Sequence, residues 1–410
     1  MPKSSFFTGQ PVFNQILSLI PRSTVNKLSN KYKCDRYCKK FRCYDHLVTM
    51  LYSTFHRCSS LREVISGMQA SSHRLRHLGL STIPRRSTLS DANERRSSIF
   101  FEDLYHAIYH QYYGFLPDSL KGKKILDKLF IIDSSIISLF STVMQSTGSF
   151  GLNGKKKGGI KAHMLVRAKD NLPCFVRLTE GKQSDSKFMG GLILPAGSII
   201  VMDKGYRNYQ QLIQWTTDNV SWVSRLHGRA AYRIKSSRPL TSCQINQGVL
   251  NDYEIDLGNP KANNPVQHAR LVCYMDKQSG RSFEFITNNF SYAPATIAHI
   301  YKQRWQIELL FKRVKQNFQL HYFLGDNQNA IKIQLWVALL ADLLLKIIKD
   351  KVDRKRKWSM ANLAGLIRLH LGTYINLFYF LAEPDKALLN YSDPYSKLQL
   401  SLFHPQSRGA

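Results

Sequence analysis

This 410-residue sequence predicts an α/β fold with helical N-terminal and C-terminal regions, and three features carry that reading. Short runs rich in Ile, Val, Leu and Phe begin near residue 125 and alternate with helical stretches. The residues before them show helical apolar spacing. A long helical pattern then follows, with one polar and one apolar stripe. Hydrophobic residues make up 43% of the chain, enough for a sizeable core.

Residues 1–120 form a basic helical region. Val12 to Leu19, Tyr44 to Phe55, Leu61 to Met68 and Ser98 to Tyr113 have helical spacing or composition, and Ser90-Asp91-Ala92-Asn93-Glu94 offers capping residues. Arg74, Arg76, Arg85, Arg86, Arg95 and Arg96 suit a DNA-binding bundle. Residues 125–228 change pattern. Strands are expected at Lys128 to Phe140, Ile160 to Ala168 and Cys174 to Glu180, then a helix at Ser184 to Leu192. A strand at Ser198 to Asp203, a helix at Tyr209 to Asn219 and a strand at Ser221 to Leu226 complete this part. Residues 229–290 read as antiparallel strands, with a hairpin of Leu271 to Met275, a turn over Asp276 to Gly280, and Arg281 to Thr287.

Residues 291–350 begin with a helix. Pro294 suits its first turn, and Gly325-Asp326-Asn327 is a stop signal. Ile300, Ile307, Phe311, Val314 and Phe318 form an apolar stripe. Tyr301, Arg304, Glu308 and Lys315 fall at i, i+3, i+7 and i+14, within an arc of roughly 60° at about 100° per residue. Three are phosphate-binding types and one is a carboxylate able to hold a metal. The segment Ile333 to Ile348, interrupted by Asp342 and Lys346, is a buried helix too short and too charged to span a bilayer. Residues 351–410 are a helical C-terminal region with a polar tail.

Net charge is +30, from 58 Lys+Arg against 28 Asp+Glu, spread along the whole chain. That distribution points to nucleic acid and away from a membrane surface, which favours a local basic cluster beside an apolar face. No signal peptide is read at the start, and a cytoplasmic location is expected. The seven cysteines read as thiols. Cys34, Cys38, Cys43, His46, His56 and Cys58 crowd together, but at spacings of no common zinc module.

Two further carboxylates stand out. Asp133 interrupts the apolar run Leu129-Phe130-Ile131-Ile132-Asp133-Ser134-Ser135-Ile136-Ile137, where a carboxylate is costly unless paired or metal-bound. Asp203 ends Ile199-Ile200-Val201-Met202-Asp203, the kind of strand terminus where α/β proteins build sites. With Glu308 they can converge on a hard-cation site, the arrangement that serves phosphoryl transfer.

These residues resemble the DDE transposases of bacterial insertion sequences. Tyr301, Arg304, Glu308 and Lys315 match the Tyr-x2-Arg-x3-Glu-x6-Lys pattern of one large group, and Ile132-Asp133-Ser134 and Asp203-Lys204-Gly205-Tyr206 resemble its two Asp motifs. The resemblance implies an RNase H-like catalytic core interrupted by a β-rich insertion. It also implies cut-and-paste transposition: hydrolysis at the element's ends, a hairpin intermediate, hairpin opening and strand transfer. Asp133, Asp203 and Glu308 would bind Mg2+, with Mn2+ able to substitute, and Tyr301, Arg304 and Lys315 would hold DNA phosphates. Partners would be double-stranded DNA (terminal inverted repeats and target) and a second copy of the chain in a synaptic homodimer, at the bacterial nucleoid. Relatives stack a flipped base on a Trp of the insertion, and residues 229–290 contain none. The candidates are therefore Trp305 and Trp222, with Tyr232, Tyr253, Tyr274 or Phe283 as substitutes.

A catalytically silent transposase-derived DNA-binding protein and a structure-specific nuclease are the competing readings. In the tail, Gln399-Leu400-Ser401-Leu402-Phe403 resembles the peptide by which bacterial replication and repair proteins dock on the sliding clamp. Gln399, Leu400, Leu402 and Phe403 are its candidate contacts.

Overall fold

A computed structural model describes residues 9–114, 123–138, 159–180, 185–259, 264–318, 320, 322–353 and 356–385. The chain divides into two compact units, residues 1–105 with 336–410, and residues 106–335.

The first unit is helical. It holds α1 (Val12–Leu17), α2 (Arg22–Lys31), α3 (Cys43–His56), α4 (Leu61–Ala70), α5 (Arg86–Arg95) and the start of α6 (Ser98–Tyr113). The C-terminal residues belong to the same unit, beside α1. The main-chain N–H groups of Val12 and Phe13 donate to Thr373 and Leu371 at 2.8 and 2.9 Å. The buried Gln15 donates to the Ile375 carbonyl at 2.7 Å and accepts from the Leu377 N–H at 2.9 Å. Two expectations change here. Ser90 to Glu94 cap nothing, because α5 runs through them. Arg96 is 5% exposed, and its guanidinium donates to the main-chain carbonyls of Phe41 and Arg42, so it is part of the core. Arg85, Arg86 and Arg95 are exposed. All seven cysteines are free thiols. His46 bonds the Asn93 side chain at 2.7 Å, and His56 packs on Tyr52.

The second unit is built on one nine-stranded sheet. After the short α7 (Ile125–Lys128) come β1 (Leu129–Ser138), β2 (Gly159–Arg167), β3 (Leu172–Glu180), α8 (Asp185–Met189), β4 (Ile199–Met202), α9 (Tyr209–Thr217) and β5 (Ser221–Arg225). Then follow β6 (Tyr232–Ser237), α10 (Ser242–Asn246), β7 (Val249–Asn259), β8 (Asn264–Asp276) and β9 (Arg281–Thr287). The order across the sheet is β3-β2-β1-β4-β5-β9-β8-β7-β6. β1 runs antiparallel to β2 and parallel to β4, and β4 is parallel to β5. Residues 129–132 and 199–202 are buried throughout, as parallel strands covered on both faces must be. The expected order of strands and helices over residues 125–228 matches these elements.

The β-rich stretch extends this same sheet. An uncovered β5 would leave an edge of unpaired main-chain groups. β9 fills it, with Val223 opposite Thr287 and Arg225 opposite Phe285. The expected hairpin is β8 and β9, paired from Arg270–Thr287 to Asp276–Arg281, and Gly280 takes φ +67° in its turn.

α11 (Pro294–Lys302) and α12 (Trp305–Asn317) replace the expected single helix. Pro294 is at the first helical position, as its missing N–H favours. Between the two, bonds contract to i→i−3: Gln303 to Ile300, Arg304 to Tyr301, Gln306 to Gln303 and Ile307 to Arg304, at 3.0–3.2 Å. The stop comes at Asn317, ahead of Gly325. Asn327 serves the next helix, α13 (Gln328–Val352), accepting the Ala330 N–H on its side chain at 2.8 Å. Ile300, Ile307, Phe311, Val314 and Phe318 are all buried, as their stripe required. α14 (Met360–His370) and α15 (Leu377–Ala382) end the described chain. Among the described residues no helix is long and apolar enough to cross a membrane. Gln399 to Phe403 lie outside the described residues.

Candidate active site

Strand register brings the first two acids together. Ile132 on β1 is directly opposite Met202 on the parallel β4. Asp133 and Asp203 are the next residues on their chains, so the paired strands deliver both to the C-terminal end of that pair, where Asp203 acts on the Asp133 carboxyl. The chain turns after Asp203, whose carbonyl accepts the Tyr206 N–H at 3.0 Å.

The α11–α12 junction delivers the rest. Arg304 donates from Nη1 to Asp133 Oδ2 at 2.8 Å and from Nη2 to Glu308 Oε1 at 2.5 Å. Arg304 and Asp133 are only 17% and 16% exposed, so their pair is poorly screened, whereas Glu308 is 34% exposed. One α12 turn past Phe311, Lys315 Nζ donates to Ser135 Oγ at 2.8 Å. Ser135 is two residues beyond Asp133, on the same face of β1. Tyr301 packs against Phe285 with ring centroids 4.9 Å apart, and the Arg304 guanidinium lies 6.0 Å from the Tyr301 ring. The four residues of the polar stripe therefore do converge, across a tightened junction and not along one straight helix.

Burial, and after it the crowding of negative charge, shifts the site's ionisable groups. The Asp133 carboxyl is pushed up to about 6, first by burial and then by the neighbouring Asp203 and Glu308, against the Ser134 N–H and Arg304. Tyr301 is pushed up to about 12 by burial, with Asp203 contributing. Burial lowers Lys315. Three oxygen donors that repel one another are the donor set a hard divalent cation takes. In this conformation Arg304 balances two of them. Among the described residues no group of three acidic, His or Cys side chains is arranged to chelate an ion.

Beside Arg304 opens a cavity of about 530 Å³. Tyr274, Phe283, Phe285, Tyr301 and Trp305 give it aromatic walls, and Lys302 and His299 add basic groups. Trp305 is 59% exposed. Arg225 sits over the Phe283 ring at 5.1 Å. Trp222 is elsewhere. It is fully buried in the core with Phe130, Ile200, Leu271 and Ile286, and its Nε1 donates to Thr216 Oγ1 at 3.1 Å. No face of Trp222 is open to a base, which removes it as a stacking candidate. Tyr232 and Tyr253 do not line the cavity, whereas Tyr274 and Phe283 do. Phe285, Lys302 and Arg225 were missed in the sequence. The alternation Phe283, Phe285 in a strand next to the Tyr301 helix was the available signal.

The sequence matches the Transposase DDE domain family over residues 125–344, and a domain of unknown function (DUF4372) over residues 8–81. It is similar to a Sinorhizobium fredii protein carrying the transposase name y4zB, at 26% identity over 269 residues, 64% of this chain and 71% of that protein. A Geobacillus stearothermophilus protein named for transposition of insertion sequence element IS5377 is 27% identical over 217 residues, 53% of this chain and 56% of its own length. A Synechocystis protein named for element IS4SA is 26% identical over 275 residues, 64% and 71% of the two chains. Among solved structures, the piggyBac transposase synaptic complex with hairpin DNA overlaps 97% of this chain and 85% of its own, with TM-score 0.43 and 11% identity. That likeness is too low to carry a conclusion.

Proposed function

This chain belongs to the Transposase DDE domain family and is a DDE-type DNA transposase; from that premise we propose that it moves an insertion sequence by cut-and-paste transposition. The observation that carries this reading is Arg304 joining Asp133 to Glu308, with Asp203 directly after the strand paired to the one that bears Asp133. The β3-β2-β1-β4-β5 order is read as an RNase H-like core, with β6 to β9 as its insertion. Tyr301, Arg304, Glu308 and Lys315 are read as the signature of the Tyr-Arg-Glu-Lys group.

DDE transposases generally use divalent metal ions. Asp133, Asp203 and Glu308 would hold Mg2+ here, and when bound it would activate the attacking oxygen and stabilise the leaving one. The remaining work falls to side chains. Tyr301, Arg304 and Lys315 hold the phosphates on either side of the cut. A phosphate entering the site competes for the guanidinium that now spans Asp133 and Glu308, and so releases both acids. The aromatic cavity takes a base turned out of the duplex when the freed 3′-hydroxyl attacks the opposite strand to make a hairpin. Trp305, Tyr274 and Phe283 supply the stacking faces, each stacked base being worth about 1–3 kcal/mol. Two copies pair the element's ends, in the bacterial cytoplasm at the nucleoid, and residues 399–403 dock the sliding clamp.

The test is Mg2+-dependent cleavage and joining of duplexes carrying the ends of the element. Asp133→Ala, Asp203→Ala and Glu308→Ala should each abolish both reactions while DNA affinity persists, because binding draws on the distributed charge. Retained cleavage in any variant removes that residue from the catalytic set.

A further inference from the structure

The loops that follow β4 and β5 enclose a second cavity, of about 330 Å³, with a polar lining. Arg207 and Tyr209 line it from the β4 side, and His227 and Arg229 from the β5 side. Gly258 and Asn264 close it from the β7–β8 hairpin. One main-chain bond folds the loop after β5 on itself, Ala230 N to His227 O at 2.7 Å, and another joins that loop to β7, Gly258 N to Ala231 O at 2.9 Å.

The charges here are one-sided. Lys204, Arg207 and Arg229 all act on the His227 ring, whose pKa is lowered first by desolvation and then by these three cations. Among the described residues none of the three forms an ion pair. Arg207 and Arg229 are exposed. Cations gathered round a concave surface without a counter-charge make a standing attraction for an anion. His227 adds a neutral donor. Its Nδ1 accepts the Arg229 N–H at 3.1 Å, so the uncharged ring carries its proton on Nε2. Two guanidinium forks and an imidazole N–H in the lining, with the Lys204 charge acting from nearby, suit the oxygens of a phosphodiester.

Position narrows the ligand. Arg207 is four residues beyond Asp203, and His227 is two beyond the end of the neighbouring parallel strand β5. The cavity therefore opens at the same edge of the sheet as the carboxylates. Among the described residues of its lining Tyr209, half-buried, is the single Phe, Tyr or Trp, so the cavity offers donors and lacks the aromatic walls found beside Trp305. We propose that this cavity grips a backbone phosphate of the DNA strand running past Asp203, separately from the phosphates assigned to Tyr301, Arg304 and Lys315. The inference rests on DNA being the substrate, and its test leaves the catalytic residues untouched.

The experiment compares the full-length chain with Arg207→Gln/Arg229→Gln, in EDTA, on a duplex carrying the element's end. Affinity is followed by fluorescence anisotropy across a range of NaCl. Circular dichroism melting checks that both proteins fold alike. If each arginine neutralises a phosphate, the slope of log affinity against log salt becomes shallower by about two units in the double variant. A scan with one neutral methylphosphonate at a time should then find a backbone position whose neutralisation weakens the wild type and leaves the variant unchanged. An unchanged salt slope in a normally folded variant, or the absence of any such backbone position, overturns the proposal. Cleavage of the ends by wild type in the same preparation keeps that failure distinct from a failure of the transposase reading.

Discussion

Asp252→Ala should be among the most damaging changes in the β6–β9 part of the sheet, and its cost follows from Arg270. This arginine is 1% exposed on β8 and donates from Nε and Nη2 to both oxygens of Asp252 on β7, at 2.8 and 2.7 Å. Its Nη1 donates to the carbonyls of Asn289 and Tyr292, at 3.1 and 2.6 Å, in the segment leading from β9 into α11. Arg238 approaches the same carboxylate at 3.6 Å. Removing the carboxylate strands a buried guanidinium, which costs about 3–5 kcal/mol when one side of a buried pair is deleted. A domain has only about 5–15 kcal/mol in total. Replacing both partners, Asp252→Leu with Arg270→Met, removes the stranded charge but leaves two carbonyls without a donor, at about 1–3 kcal/mol. The double variant should therefore recover part of the loss. Urea unfolding measures the difference, with amide exchange on β8 and β9 assigning it to this sheet, because a chain of two units need not unfold in one step. The same guanidinium tethers the entry to α11, so end cleavage should slow in Asp252→Ala under conditions where the variant remains folded. A loss below about 1 kcal/mol, with β8 protection unchanged, would refute the tether.

Trp222 and Trp305 should separate cleanly. Trp222→Ala should cost about 3–5 kcal/mol in unfolding experiments, whereas exposed Trp305→Ala should leave stability within about 0.5 kcal/mol and impair hairpin formation on end DNA. Asp133 should make stability fall as pH rises: its folded value of about 6 lies above the usual value near 3.9, so the folded chain holds the extra proton between them. Asp133→Asn should thus be more stable than wild type at pH 8 in EDTA, by up to about 3 kcal/mol, with the gap closing by pH 4; a constant gap would sink the argument. A fragment of residues 1–120 should fail to fold alone, since Gln15, Val12 and Phe13 lose the bonds they make to residues 371–377, and a cooperative thermal transition from that fragment would show otherwise.

Local patterns in the sequence carried most of the fold. The alternation of strands and helices over residues 125–228, the β8–β9 hairpin and Ser98–Tyr113 all rest on contacts close in sequence, where period and turn chemistry act directly. What stayed hidden depends on distant partners. That β9 would cover β5 is decided by an edge more than fifty residues earlier, and nothing in residues 281–287 names that partner. The pairing of the two chain ends through Gln15 is equally silent, because a lone Gln in an amphipathic helix looks like surface. Arg96 looked like surface for the same reason, and is buried because three groups around it (Phe41 O, Arg42 O and Cys38 Sγ) take up its donors.

The site was legible wherever chemistry contradicts burial. Asp133 in a run of isoleucines could only be paired or metal-bound, and the structure answers with Arg304. The helical spacing of Tyr301, Arg304, Glu308 and Lys315 indicated one face, yet an ideal helix is not what unites them. The i→i−3 junction at Gln303 and Arg304 tightens the rotation just where the guanidinium must reach from one carboxylate on β1 to another on α12. Lys315 then ties α12 back to β1 through Ser135. Spacing alone predicts direction; it cannot predict such a tightening. The aromatic cavity was half legible for a related reason. Tyr274 and Phe283 declared themselves as aromatics in strands, but only the β8–β9 register, with Tyr274 opposite Phe283, and the approach of α11 to β9 through Tyr301 and Phe285 turn them into one wall.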